Sequence, residues 1–398
     1  MAALYETKVL PVHVKDIAFP ATADLPEIVP GSETEININR AADILRTHTA
    51  PVAFPTETVY GLGASALDTR AVRQIFAAKN RPSDNPLIVH ISSVSQLDRV
   101  LKSKVLAIYE KLIAKFWPGP LTIILPLPSN PDSDEPVISR ACTPGQATFG
   151  VRMPAHIVAR ALIAVSDTPL AAPSANASTK PSPTTAAHVY ADMHGRIPII
   201  LDGGNCEVGV ESTVVDGTVS PPAVLRPGGV SVEMIREFGG EEWRDVVVGK
   251  SEAGKDESVR TPGMKYRHYS PQAKVVVFVG TGDGSEVVNA YLRNNTSRKI
   301  ALLKSRQFDI EKWDTSISTQ ISFIKELGAT GAEIARNLFS GLRDADERLL
   351  KDSANEGEPL IIVEGVSDAD EGAAIMNRLR KAASEIYENG VLIVKDSH

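Results

Sequence analysis

Two short stretches of the chain set polar side chains two residues apart beside prolines. In Lys79-Asn-Arg-Pro-Ser-Asp-Asn-Pro the pattern is cation, any residue, cation: Lys79 and Arg81 precede Pro82 and Pro86. Those prolines favour extended chain over helix, and residues i and i+2 of an extended chain share a face, so the two cations are expected to converge on one anion. A lysine point charge and an arginine fork together neutralise charge that builds on a reacting phosphoryl group; the plainer alternative is a solvated basic turn. Ser174 and Asn176 repeat the spacing after the apolar run Pro169-Leu-Ala-Ala, with Ser178 and Ser182 following in a proline-bracketed loop. Such a loop is either turn chemistry or the rim of a site.

Four further clusters are compatible with a ligand. Pro55-Thr-Glu-Thr-Val-Tyr-Gly-Leu-Gly offers the hydroxyls of Thr56, Thr58 and Tyr60 next to two glycines that let backbone approach a ligand, or else forms a capped strand-to-helix turn. Arg152, in Phe149-Gly-Val-Arg-Met-Pro, sits among apolar neighbours and needs an acidic partner: Glu57, Glu211 or the carboxylate of an amino-acid ligand. Gly209-Val-Glu-Ser-Thr and Leu225-Arg-Pro-Gly-Gly are polar clusters at expected strand edges. Cys142 and Cys206 have no spaced partners and are read as structural, which fits a reducing compartment.

The elements that must position these residues alternate. Short apolar runs at 52–54, 86–91, 121–125, 169–172 and 198–201 alternate with helix-length segments at 69–79, 94–116, 155–165 and 184–194, after a first helix around 39–46. Beyond a linker, Lys274-Val-Val-Val-Phe-Val, Lys299-Ile-Ala-Leu-Leu and Pro359-Leu-Ile-Ile-Val-Glu read as strands, with helices at 285–293, 331–342 and 372–388. The expected class is α/β, with a twisted mixed sheet flanked by helices and then a smaller doubly wound, Rossmann-like domain. A length of 398 residues fits two domains. Their expected bounds are an N-terminal arm at 1–35, a catalytic domain at 36–240, a linker or lid at 241–273 and a C-terminal α/β domain at 274–398.

A net charge of -7 argues against a chain that grips nucleic acid over its whole surface. No apolar run approaches the ~18 residues of a spanning helix, and the acidic start lacks a signal or transit pattern, so a cytoplasmic enzyme without membrane contact is expected. The chain has no P-loop, H-E-x-x-H or G-x-S-x-G motif. Gly280-Thr-Gly-Asp-Gly-Ser is read as a strand-to-helix turn rather than a dinucleotide loop.

Taken in order, Pro55-Thr-Glu-Thr-Val-Tyr-Gly-Leu-Gly, Lys79-x-Arg81, His90, Trp117-Pro-Gly-Pro-Leu-Thr, Gly150-Val-Arg-Met-Pro, Ala172-Pro-Ser-Ala-Asn, Gly209-Val-Glu-Ser-Thr and Leu225-Arg-Pro-Gly resemble the threonylcarbamoyl-AMP synthase family with its YrdC-like catalytic domain. Met264-Lys-Tyr-Arg-His-Tyr-Ser-Pro and the α/β tail resemble its two-domain branch, with Ser270 where an alanine is frequent. The resemblance implies synthesis of L-threonylcarbamoyladenylate and pyrophosphate from L-threonine, bicarbonate or CO2, and ATP carrying Mg2+. The product would serve N6-threonylcarbamoyladenosine formation at position 37 of tRNAs reading ANN codons, through a separate threonylcarbamoyl-transfer complex, with direct tRNA binding weak or absent.

By the same resemblance Lys79, Arg81, Ser174 and Asn176 form the catalytic tetrad. Thr58, His90, Arg152, Ala172 and Ser212 would hold threonine, and Arg81, Asn85, Thr148, Ser174, Ser182, Arg226 and Tyr269 would contact ATP, with no protein metal site. Residues 260–272 would act as a lid. The alternatives are a double-stranded RNA-binding module of the same fold, which the acidic total disfavours, and a hydrogenase-maturation carbamoyl transferase, whose cysteine clusters two cysteines cannot supply.

Overall fold

The computed structural model describes residues 5–20, 23–47, 49–128, 136–249, 268–295, 299–351 and 358–395. Part of the expected lid, residues 260–267, lies outside the described residues. The chain divides into two compact units, Met1–Ser178 with Ser182–Tyr266, and Thr179–Pro181 with Arg267–His398.

The first unit is built on an eleven-stranded mixed sheet. In spatial order its strands are Lys8–Pro11, Ile199–Asp202, Val52–Phe54, Gly61–Ser65, Leu170–Ala171, Val89–His90, Thr148–Arg152, Leu121–Pro126, Thr213–Asp216, Ala223–Arg226 and Val247–Val248. Lys8–Pro11, inside the segment expected as an arm, pairs in parallel with Ile199–Asp202. Most of the central strands are buried along their whole length, which is why they read as continuous apolar runs rather than as alternating patterns. One face packs on Ile38, Ala41, Leu45, Leu162 and Phe54, and a larger core gathers Val72, Ile75, Tyr109, Phe149 and Trp243.

The first helix is longer than the period suggested. It runs Glu33–Arg46 because Ser32 caps it, its side chain accepting from the Glu35 N–H at 3.1 Å, while Glu35 reaches back to the Gly31 N–H at 2.7 Å. The stretch expected as one helix at 94–116 is two, Val94–Arg99 and Glu110–Phe116.

The second unit holds a six-stranded sheet in the order Ile321–Glu326, Lys299–Lys304, Pro359–Glu364, Lys274–Val279, Glu385–Glu388 and Val391–Lys395. The first five are parallel and the last antiparallel, with helices Ser285–Asn294, Gly331–Lys351 and Glu371–Ala382 between strands. This is the expected doubly wound arrangement. The last helix, however, stops at Ala382: Ala383 is extended, and Ile386 pairs with Val277 in the sheet instead of lying on a helix face. Asn389 and Gly390, both at positive φ, turn the chain into the final hairpin, as an Asn-Gly pair is suited to do. No helix among the described residues is long and apolar enough to cross a membrane.

Candidate functional site

Lys79 is the last residue of helix Thr69–Lys79, and Asn80 caps that helix in the left-handed region at φ 51°. The extended geometry expected for Lys79 and Arg81 is therefore corrected: the helix persists through Lys79 because Pro82 restricts only the residue before it, Arg81. Lys79 is 1% exposed. Its ammonium donates to the carbonyls of Ser174 at 2.5 Å and Asn176 at 2.6 Å, with Asn176 Oδ1 at 3.4 Å. The 174–176 segment is thus gripped at both members of the expected pair, and the Ser178 N–H donates to the Lys79 carbonyl at 3.0 Å. Arg81 is half-buried, with Nη2 3.4 Å from the Pro86 carbonyl.

That segment is tied to the hydroxyl-rich motif. Ser174 bridges Gly61, the Ala175 N–H donates to the Tyr60 carbonyl at 2.8 Å, and the Leu62 N–H donates to the Pro173 carbonyl at 2.8 Å. Two residues before Tyr60, Thr58 Oγ1 accepts from Arg152 Nη1 at 2.9 Å. Arg152 Nε donates to the Gly119 carbonyl at 3.1 Å, and Nη2 stands 2.7 Å from Glu57 Oε1. Of the acidic partners open to Arg152, the structure therefore selects Glu57. Gly119 follows a cis Trp117-Pro118 bond; a β-carbon on it would lie 2.2 Å from the Phe116 carbonyl oxygen, so only glycine leaves the Gly119 carbonyl where Arg152 meets it.

His90 is paired with Arg152 across neighbouring parallel strands, and with Leu170 on its other side. Its Nδ1 is 3.2 Å from the Ile88 carbonyl. Burial, and then the Arg152 charge, push its pKa down to about 3, so the ring is neutral at physiological pH. The unfolded chain, with an ordinary histidine pKa of about 6.5, takes up the proton first as pH falls, so this term is fully favourable above that value and is lost toward pH 3. Wild type is expected to lose about 2 kcal/mol more stability between pH 8 and pH 5 than His90→Asn, read from urea melts at each pH. Parallel pH dependences would show that His90 is not held neutral. The Ala172 N–H donates to the Ile88 carbonyl at 3.0 Å, so its backbone serves the sheet beside His90.

The third group sits on the returning strands. Ser212 Oγ is 2.8 Å from Thr122 Oγ1, and Arg226 binds the Ser212 carbonyl through Nε at 3.1 Å and Nη2 at 3.0 Å. Ser182 Oγ donates to Glu211 Oε1 at 2.6 Å. The Gly209 and Val208 N–H groups donate to the carbonyls of Thr58 and Glu57, joining this group to the Arg152 side. A β-carbon on Gly228 would fall 2.3 Å from the Glu211 oxygen and 2.4 Å from both Ser212 C and Thr213 N. Gly228→Ala is therefore expected to displace Ser212 and its neighbours, costing about 1–3 kcal/mol in thermal melts and at least ~10-fold in turnover. Unchanged melting and turnover would remove Gly228 from this account.

Asn85 is buried on the loop after Arg81, with Oδ1 accepting no hydrogen bond among the described residues. Thr148 opens the strand that ends at Arg152 and is half-buried. Among the described residues, neither makes a hydrogen bond to the expected tetrad. Tyr269 lies in the second unit, with its ring 5.0 Å from that of Phe339 and 5.6 Å from that of His268. Glu57, Gly119, Thr122 and Glu211 are not among the expected ligand-binding residues; Glu57 and Glu211 are open to sequence reading only as acidic partners for Arg152, and Gly119 and Thr122 only through the motif that contains them.

Residues 46–228 match a family model described as telomere recombination, of the Sua5, YciO and YrdC proteins, and residues 230–384 match the threonylcarbamoyl-AMP synthase C-terminal domain. The chain is 48% identical to a threonylcarbamoyl-AMP synthase of Schizosaccharomyces pombe, over 96% of this chain and 99% of that one. It is 45% identical to a Pyrococcus abyssi protein of the same name, over 83% and 90% of the two chains. The crystal structure of P. abyssi Sua5 complexed with L-threonine superposes with a TM-score of 0.77 at 40% identity, covering 96% of this chain and 99% of that one. The chain belongs to the threonylcarbamoyl-AMP synthase family, in its two-domain form.

Proposed function

We infer that the first unit carries out the family's reaction, with threonine held on the Arg152 side and ATP on the side of Lys79, Arg81, Ser174 and Asn176. The enzyme is an ATP-using nucleotidyltransferase. The observation that carries the assignment of sides is the Arg152 guanidinium, buried, fixed by Thr58 and Gly119 and charge-balanced by Glu57. A guanidinium so fixed is suited to an α-carboxylate. His90, held neutral, is suited to threonine's hydroxyl, with the Ala172 backbone and Ser212 completing that pocket.

The chemistry has two steps. Threonine's ammonium group and bicarbonate give the carbamate, water and a proton; a carbamate oxygen then attacks the α-phosphorus of ATP in line, forming threonylcarbamoyl-AMP and expelling pyrophosphate. The residues involved are cations, hydroxyls and amides rather than an activated nucleophile, so positioning and charge stabilisation supply the catalysis. Arg81 is the cation for the developing phosphoryl charge. Asn85, Thr148, Ser182 and Arg226 bind the nucleotide.

Mg2+ enters on the triphosphate, whose oxygens and waters supply most of its ligands. The nearby Glu57 and Glu211 are engaged by Arg152 and Ser182. The product passes to a tRNA-modifying transfer complex in the cytoplasm.

Incubation with threonine, ATP and 13C-bicarbonate tests this reading by mass spectrometry. An adenylate carrying both threonine and the label is expected; threonyl-AMP without the label would contradict it.

A further inference from the structure

Glu57 is not needed to bind any substrate atom in the reaction above, yet it is a carboxylate 5% exposed in the middle of the site. Its Oε1 lies 2.7 Å from Arg152 Nη2, but neither of its oxygens, nor that nitrogen, meets hydrogen-bond geometry with any partner among the described residues. A carboxylate serving only to hold a guanidinium takes the aligned fork, which adds bond energy and fixes orientation. This one supplies charge instead. The orientation of Arg152 is already set by Gly119 and Thr58.

We propose that Glu57 is the charge-selecting residue of the amino-acid pocket: by neutralising Arg152 it tunes the pocket to a ligand of no net charge, the zwitterion of a free α-amino acid. The proposal rests on the reading that threonine's carboxylate binds at Arg152. Arg152 and Glu57 sum to zero, as do the carboxylate and ammonium of threonine. Without Glu57 the pocket would carry the bare arginine charge and favour anions, including N-acylated amino acids.

The same charge then acts on the intermediate. Once the ammonium group has become a carbamate, the ligand carries two negative charges beside Glu57. The new carbamate is therefore held less well in the amino-acid pocket than the zwitterion from which it forms. Glu57 thus selects the entering form of the substrate.

Calorimetric titration of L-threonine and N-acetyl-L-threonine into wild type, Glu57→Gln and Glu57→Asp tests this. Glu57→Gln is expected to weaken threonine at least ~10-fold while leaving N-acetylthreonine unchanged or tighter, and Glu57→Asp to keep most of the wild-type preference. Equal loss for both ligands in Glu57→Gln, or no loss for threonine, overturns the proposal. Should Glu57→Gln fail to fold, wild type alone decides: 2,3-dihydroxybutanoate, with a hydroxyl in place of the ammonium group, is expected to bind at least ~10-fold more weakly than threonine, and equal binding overturns the proposal. Absence of threonine binding to wild type would instead contradict the threonine assignment itself.

Discussion

Arg152→Ala is expected to abolish threonine-dependent turnover and to cost about 3–5 kcal/mol of stability, because it strands the buried Glu57 carboxylate without its counter-charge. The two side chains are 4% and 7% exposed, so water cannot take over the role of the lost partner. The Gly119 carbonyl and Thr58 hydroxyl would also lose their donor. Arg152→Lys keeps the charge but not the fork, and should retain part of the stability with a raised threonine KM. Arg152→Met combined with Glu57→Gln removes both charges and should recover much of the stability without restoring activity. Urea melts and threonine titrations of the set check these outcomes. Full activity in Arg152→Ala would place the carboxylate elsewhere.

Lys79→Met is expected to lower turnover by about 10²-fold or more, since the backbone of the Ser174–Asn176 segment loses the ammonium that gathers it. The contacts at 2.5 and 2.6 Å go to carbonyls of the protein, so Lys79 acts in this site first by shaping it and by its charge. A double-mutant cycle with Asn176→Ala checks this: the double variant should be little worse than the more damaged single variant, because both disturb one cluster. Fully additive losses would mean that Lys79 and Asn176 act independently. Nucleotide binding by Lys79→Met separates loss of ATP affinity from loss of turnover.

Much of the fold was open to reading because most of the first unit's central strands are buried along their length and the second unit's inner parallel strands are continuous apolar runs. Errors fell where local pattern and tertiary pairing compete. Ile386 continued a helical period from Ile375 and Leu379, yet pairing with Val277 made its segment a strand. Lys79 and Arg81 were expected to share a face on the strength of neighbouring prolines, whereas the helix holds Lys79 to its last turn and the left-handed Asn80 separates the two. The identity of the tetrad came from ordered motifs; its hydrogen bonds did not. Glu57 follows strand Val52–Phe54, while Arg152 ends a strand four places away in the sheet. No local spacing predicts their meeting. The contrast between a carboxylate that binds and one that balances charge depends on hydrogen-bond alignment, which only coordinates reveal.

In the proposed reaction one site joins threonine, bicarbonate and ATP. Pyrophosphate release, measured with threonine and bicarbonate supplied singly and together, tests it most directly. Release that requires ATP, threonine and bicarbonate together, and that is lost in Arg81→Ala and Ser174→Ala, is the predicted result; release from ATP with either one absent, or undiminished release in those variants, would contradict it.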